Sequence, residues 1–203
     1  MTHEHEHLEV QWGDYRPLGV NPQDPKLTPA PHQMLAAVEA FFQRYVALPD
    51  RTLLPVALWA TSTHLFECFT TFPYLAILSA VKGSGKTRLL EICEQVCARP
   101  WRASTVSPAA VFRKIASDSP TLLLDEAEVL SNPRSEVAQA LRAILNAGYR
   151  AGASVPRCEP PKHEVHNFPV FCPKAFTAIG RLPDTIADRS ILIQMQKRVW
   201  QNR

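Results

Sequence analysis

The sequence predicts an α/β protein built on a parallel five-stranded sheet. Two observations support this prediction. From residue 71 onward, short apolar runs alternate with segments of helical spacing, and a glycine-bearing loop separates the apolar run Tyr74–Ser79 from a helix that begins near Lys86. Strands that alternate with helices favour parallel pairing, because each helix returns the chain before the next strand begins. We therefore expect a doubly wound sheet.

The segment before the first strand divides into an arm and a helical part. Residues 1–30 contain many prolines and no apolar periodicity, which predicts an extended arm. Residues 31–70 predict a small helical subdomain. Its first helix covers residues 31–48, with Pro31 in the first turn, and its second runs from residue 50 to about residue 67.

Residues 71–198 predict the main domain. The elements expected after the first strand are a helix from residue 86, a strand at 101–106, a helix at 108–116, a strand at 121–125, a helix at 132–147, a strand at 174–179, a short helix at 183–187 and a strand at 191–195. At 155–168, two extended pieces flank a Pro-Pro-Lys-His turn, which is typical of a hairpin.

Composition limits the class of protein. A hydrophobic content of 46% is ordinary for a globular chain, and a net charge of +3 permits nucleic acid as a partner without arguing for it. The five cysteines are odd in number and form no CxxC pair, so we expect reduced thiols and a cytoplasmic location. The N-terminus lacks the features of a signal peptide, and the most apolar window, 65–81, is too short for a bilayer. No membrane partner is expected.

The loop at residues 80–87 has the residues of a phosphate-binding loop. Gly83 and Gly85 let backbone N–H groups turn toward one point, and the following helix directs its positive dipole end there. Lys86 can reach the β- and γ-phosphates of a nucleotide, and the Thr87 hydroxyl can bind Mg²⁺. Ala80 replaces the first glycine of the usual pattern, where the turn only begins. The candidate nucleotide-binding residues are Ala80, Lys82, Gly83, Ser84, Gly85, Lys86, Thr87 and Arg88.

An acidic pair follows the apolar run at residues 121–124. Because ligands bind beyond the carboxyl ends of parallel strands, we expect Asp125 beside Thr87, as a Mg²⁺ ligand directly or through water. Glu126 is expected to activate an attacking water as a general base. Structural alternatives are a chance Gly-Ser-Gly turn and two solvated acids that open a helix. The two motifs together predict ATP and Mg²⁺ as ligands.

Five short stretches support a family resemblance: residues 72–75, 85–91, 123–127, 144–148 and 179–184. In order and content they resemble the AAA+ ATPases, and most closely the helicase-like P-loop domain of primase–helicase proteins from phages, plasmids and integrated elements. The resemblance covers about residues 50–198. It implies ATP hydrolysis between the subunits of a homo-oligomeric ring, coupled to work on single-stranded DNA.

The resemblance also assigns an arginine finger. By it, Arg189 reaches the γ-phosphate of a neighbouring subunit's ATP, with Arg181 as the second candidate. The structural alternative for Arg189 is a salt bridge to Asp184 or Asp188. No polar sensor is obvious at the end of the strand at residues 174–179, where Thr177 lies inside the strand. The usual lid after the last strand is absent or truncated, so we expect a fragment of a longer protein or a lid supplied by the earlier helices.

A hairpin at residues 155–168 resembles one that reaches the central channel in superfamily 3 and minichromosome-maintenance helicases. Lys162 and His163 at its tip are therefore candidate DNA contacts, and an ordinary exposed loop is the alternative. The same segment offers four residues whose types suit zinc, in a spacing of no common site: Cys158, His163, His166 and Cys172.

The resulting hypothesis is an ATP-hydrolysing P-loop ATPase, the helicase or DNA-translocase module of a mobile-element replication protein. The main alternative is a nucleotide-dependent switch or adaptor that binds ATP without unwinding DNA. A small-molecule kinase is a third reading, disfavoured because the acidic pair suits water activation. A strand lying between the strand before the loop and the strand before Asp125 would favour the ATPase.

Overall fold

The computed structural model describes residues 30–49, 51–104, 106–132, 134–159 and 164–197. Its strands, in chain order, are β1 (Tyr74–Ser79), β2 (Pro100–Ala103), β3 (Thr121–Leu124), β4 (Ser154–Glu159), β5 (Glu164–Pro169), β6 (Lys174–Ile179) and β7 (Ser190–Gln194). Five of them form an all-parallel sheet in the order β2-β3-β6-β1-β7. The predicted arm lies outside the described residues, apart from Ala30.

Helices connect the strands and precede the first one. They are α1 (Pro31–Tyr45), α2 (Leu53–Ser62), α3 (Lys86–Val96), α4 (Pro108–Asp118), α5 (Glu136–Ala147) and α6 (Asp184–Ala187), with 3-10 helices at Thr63–Cys68 and Ala127–Ser131. The predicted α/β class with a parallel five-stranded sheet is thus confirmed. None of the helices in the described part of the chain has the length and apolar character needed to cross a bilayer.

Several predicted boundaries are wrong. The helix expected at 31–48 ends at Tyr45, and the helix expected from residue 50 to about residue 67 is an α-helix at Leu53–Ser62 followed by a 3-10 helix. The strand expected at 101–106 covers only Pro100–Ala103. The helix expected from residue 132 begins later, because the Ser135 side chain accepts the Ala138 N–H and caps the helix there.

Apolar side chains alternate between the two faces of the sheet, as the two-residue period of a strand requires. On one face, Leu75 and Ile77 of β1 pack in a cluster with buried residues of α1, α2 and α3. On the other face, Tyr74, Ala76 and Leu78 pack with α4 and α5. Helices therefore cover both faces. The helices expected as a subdomain at residues 31–70 share an apolar cluster with the sheet, and the domain boundaries themselves stay predictions.

The predicted hairpin corresponds to β4 and β5, which pair antiparallel from Ser154↔Pro169 to Glu159↔Glu164. Its base packs on α4, where the Phe168 and Phe112 ring centroids lie 4.6 Å apart. The turn between the strands, with Lys162 and His163, lies outside the described residues.

A buried lysine fixes the start of β6. Lys174 is fully buried, and its Nζ donates to the carbonyl oxygens of Gly148 (3.0 Å), Val170 (2.8 Å) and Cys172 (3.0 Å). Burial lowers the pKa of Lys174. A Cβ at Gly148 would meet the Val170 carbonyl oxygen at 2.4 Å and the Lys174 Nζ at 2.6 Å, so only glycine fits there. The end of α5 and the start of β6 are thus joined through a single ammonium group.

We predict that Lys174→Met lowers the free energy of unfolding by about 3 kcal/mol, because three buried carbonyl oxygens lose their donor. Chemical denaturation measures the change. Lys114→Met is the control, since Lys114 forms an exposed pair with Asp118 on α4 and its loss should cost less than about 1 kcal/mol. Equal stabilities of the two variants would contradict the structural role of Lys174.

Candidate functional site

The loop between β1 and α3 turns through two glycines in the left-handed region, Gly83 at φ 72° and Gly85 at φ 87°. A Cβ at Gly83 would meet nothing within 4 Å, so the backbone conformation rather than crowding favours glycine there. Gly85 is also the N-cap of α3. The loop therefore opens toward the first turn of a helix, whose N–H groups have no partner within the helix.

A cavity of about 360 Å³ lies at the carboxyl ends of the strands, next to this loop. It is lined by Lys82, Gly83, Lys86, Thr87, Asp125, Glu126, Glu128, Thr177 and Ile179. Two lysines and three acids from distant parts of the sequence thus meet in one cavity, at the edge of the sheet that the sequence predicted.

The Lys86 ammonium group is held at the end of β1. Lys86 is only 9% exposed, and its Nζ donates to Ser79 Oγ at 2.7 Å. The Ser79 hydroxyl in turn donates to the Val81 carbonyl at 2.7 Å. The side chain is therefore held in place before any ligand binds, and it has further N–H donors to offer to an anion.

Thr87 and Asp125 meet as predicted. Thr87 Oγ1 donates to Asp125 Oδ1 over 3.3 Å, although the two residues are 38 positions apart in the chain. The backbone N–H of Asp125 donates to the Ala103 carbonyl at 2.8 Å, which fixes the end of β3 against the end of β2. A hydroxyl and a carboxylate side by side are oxygen donors of the kind that Mg²⁺ prefers.

Glu126 has an unusual backbone conformation, with φ 58° and ψ 51°. A residue with a Cβ loses about 1–2 kcal/mol in this left-handed region. Its side chain is exposed, and among the described residues no hydrogen bond or ion pair engages its carboxylate. Backbone strain of this kind is concentrated at functional sites. Glu126 therefore presents a free carboxylate to the cavity.

Two further residues, which were not among the predicted site residues, hold the acidic segment. The Thr177 hydroxyl donates to Asp125 Oδ1 at 2.6 Å and accepts the Glu126 N–H at 2.9 Å. Glu128 Oε1 accepts the Ile179 N–H at 2.8 Å. The sequence signal for Thr177 was a polar residue inside the apolar run of β6. The signal for Glu128 was a further acid that closely follows the acidic pair. Thr177 was not expected to be a sensor, because it lies inside a strand, yet it lines the cavity.

The other loop candidates are less directly involved. Ser84 is buried, and its Oγ has no hydrogen-bond partner within the described residues. Arg88 turns away from the cavity: its Nη1 lies 3.3 Å from Glu91 Oε2, and its Cζ lies 5.7 Å from the centroid of the Tyr45 ring. Ala80 is an exposed residue at the beginning of the turn.

Arg189 lies at the opposite edge of the sheet from the cavity. Its carbonyl accepts the N–H of Tyr74, the first residue of β1, whereas the loop follows the last residue of β1. About 17 Å of strand separates the two edges. The Arg189 guanidinium donates to the Thr185 carbonyl and lies 4.7 Å from the centroid of the Tyr149 ring.

The expected alternative partners of Arg189 are not used: within the described part of the chain it pairs with neither Asp184 nor Asp188. Arg181 follows β6 at the same edge as the cavity, and its side chain is exposed. The described residues also contain no cluster of three or more His, Cys, Asp or Glu side chains arranged to hold a metal ion. The zinc alternative includes His163, which lies outside them.

Comparison with known proteins identifies no relative, since no family model matches the chain and no curated protein is significantly similar to it. The AAA+ resemblance therefore stays a prediction, and arguments about function depend on the geometry of the site.

We predict that Glu126→Gly raises the free energy of unfolding by about 1 kcal/mol, because glycine adopts the left-handed conformation without the Cβ penalty. Denaturant titration measures the effect. The matched control is Glu126→Gln, which removes the charge but keeps the Cβ and should leave stability within about 0.5 kcal/mol. If both variants stabilise equally, charge repulsion and not backbone strain is the cause.

Proposed function

We propose that this protein is a P-loop ATPase of the AAA+ type, the DNA-translocating module of a mobile-element replication protein acting in the cytoplasm. The observation that supports this most is the convergence of the glycine loop and the acidic pair on one cavity, where Thr87 Oγ1 lies 3.3 Å from Asp125 Oδ1. Phosphate binding, metal binding and water activation need these residue types close together.

The strand order supports an ATPase over a small-molecule kinase. β6 lies between β1, which leads into the loop, and β3, which leads into Asp125. A strand inserted between these two favours the ATPase, as expected from the sequence; this is an argument by fold analogy. It also has a direct chemical consequence, because β6 brings Thr177 between the two motifs, within 2.6 Å of Asp125 Oδ1.

The residues present fit ATP with Mg²⁺. The open turn through Gly83 and Gly85 and the first turn of α3 would hold the phosphates, together with Lys86. Thr87 and Asp125 would hold the metal ion, directly or through water. Bound Mg²⁺ would neutralise part of the charge on the phosphates.

The chain's own residues then divide the work. Lys86 keeps its bond to Ser79 and donates a second N–H to a phosphate oxygen, a charge-assisted contact of the strong kind. Thr177 keeps Asp125 oriented. The free carboxylate of Glu126 holds a water and accepts its proton as the water oxygen bonds to the γ-phosphorus of ATP and the bond from that phosphorus to the leaving ADP oxygen breaks, which is general-base catalysis.

Arg189 fits a role in a neighbouring subunit. Because it lies at the edge of the sheet opposite its own cavity, it cannot serve the phosphates bound there. In a homo-oligomeric ring this edge would face the cavity of the next copy, and an arginine supplied in trans is worth about 10³–10⁵ in rate. Arg181 stays the second candidate for the arginine finger.

The part of the proposal that concerns DNA depends on the hairpin. β4 and β5 follow α5 and precede β6 in the chain, the position that the hairpin has in the helicases that this sequence resembles. We assign Lys162 and His163 at its turn to contacts with phosphates of single-stranded DNA. The alternative is a nucleotide-dependent switch or adaptor, which would keep the ATP site but would not use the hairpin to bind DNA.

We predict that Lys86→Ala removes most ATP affinity, because the charged donor that Ser79 positions is lost. We expect Glu126→Gln still to bind ATP but to turn it over at least about a hundredfold more slowly. Equilibrium nucleotide binding and phosphate release measure the two effects. Lys114→Ala, on the outer surface of α4, is the control for charge. Unchanged ATP affinity in folded Lys86→Ala would refute the phosphate site, and parental turnover in Glu126→Gln would refute the general base and favour the switch.

We predict that the double variant Lys162→Ala/His163→Ala retains ATP affinity but loses single-strand binding and any stimulation of ATP hydrolysis by DNA. Phosphate contacts depend on salt and carry little sequence information, so affinity for unrelated single strands should fall together as salt rises. Fluorescence anisotropy at two salt concentrations measures it. Equal DNA affinity of variant and parent, or no DNA binding by the parent with ATP present, would leave the switch as the better reading.

A further inference from the structure

The segment after Glu126 is bonded at two points to the end of β6 and the residues that follow it. Glu128 Oε1 accepts the Ile179 N–H at 2.8 Å, and Ser131 Oγ donates to the Arg181 carbonyl at 3.0 Å. From the other side, Arg142 of α5 donates through Nε to the Leu130 carbonyl at 2.7 Å. The 3-10 helix Ala127–Ser131 is therefore held at both ends, and Glu128 makes the contact nearest to Glu126.

Glu126 needs such support because its own conformation is strained. On its N-terminal side, the Thr177 hydroxyl accepts its N–H at 2.9 Å and binds Asp125. On its C-terminal side, the nearest tie to the sheet is the bond between Glu128 and Ile179. Thr177 and Ile179 lie two residues apart near the end of β6, the first acting through its side chain and the second through its backbone N–H. Two positions of one strand thus hold the left-handed residue between them.

We propose that Glu128 is a positioning residue for the proposed hydrolysis: by accepting the Ile179 N–H, it keeps the Glu126 carboxylate directed into the cavity. This inference rests on the proposed function. The positioning of Glu126 requires the hydrogen-bond acceptor oxygen of Glu128 and does not require its negative charge. A third carboxylate in a cavity that binds a polyphosphate repels the ligand, whereas a glutamine of the same length accepts the same hydrogen bond.

Two variants separate the acceptor from the charge. Glu128→Ala removes both, and Glu128→Gln removes only the charge. We expect Glu128→Ala to lower kcat about tenfold, the rate equivalent of one hydrogen bond, with ATP affinity within about twofold of the parent. Glu128→Gln should restore kcat to within about threefold of the parent, with an unchanged pH dependence of kcat. Steady-state kinetics measures kcat. Equal midpoints of thermal unfolding for the parent and the variants exclude a general loss of folding.

A second measurement needs no turnover. Amide hydrogen exchange at Ile179 should accelerate in Glu128→Ala and stay at the parental rate in Glu128→Gln, because only the alanine removes the acceptor. Faster exchange together with a lower kcat supports the positioning role. An exchange rate in Glu128→Ala equal to that of the parent would overturn the positioning role, because the hydrogen bond from Ile179 to Glu128 would then not stabilise the end of the strand.

The kinetic outcomes are equally decisive. Parental kcat in Glu128→Ala overturns the role while leaving the ATPase proposal intact. A kcat in Glu128→Gln as low as in Glu126→Gln overturns it in favour of Glu128 as a metal ligand or base, where charge is required. If the parent protein binds ATP but does not hydrolyse it, the proposed function fails, and the positioning role fails with it.

Discussion

The register of β6 is the constraint on which the cavity depends. Lys174 fixes that register at the first residue of the strand, because its ammonium group bonds three carbonyl oxygens that belong to the end of α5 and to the approach to β6. Three residues later the strand presents Thr177 to Asp125 and Glu126. A slip by one residue would turn Thr177 to the opposite face of the sheet, among apolar side chains of α4 and α5. A buried cation thus sets the geometry of a site at the other end of its strand.

The cavity combines three features that cost free energy. Glu126 occupies a strained backbone region, Ser84 buries a hydroxyl without a partner among the described residues, and Lys82, Lys86 and three acids share one small space. The buried Lys174, by contrast, has a carbonyl partner for each of its three N–H donors. Local departures of this kind are expected where a ligand completes the structure, because stability is then supplied by the bound state.

Local periodicity was enough to predict much of the fold. The bounds of β1 and β6 and the start of α3 follow from apolar spacing and from glycine at a helix start, which depend on neighbours in sequence. The meeting of Thr87 and Asp125 followed from the rule that parallel strands end at the same edge. Thr177 and Glu128 could not be assigned in this way. Their partners lie about 50 positions away, and only the pairing of β6 beside β3 brings them together.

Gly148 shows how far such a constraint extends. It has no contact with the cavity, yet a Cβ there would collide with the Val170 carbonyl and with the Lys174 ammonium. In evolutionary terms, position 148 is constrained more tightly than position 174, because the Val170 carbonyl oxygen excludes a Cβ at 148 whether or not the ammonium group is present. Divergent copies of this protein should therefore drift freely over the outer helices while glycine is kept at position 148.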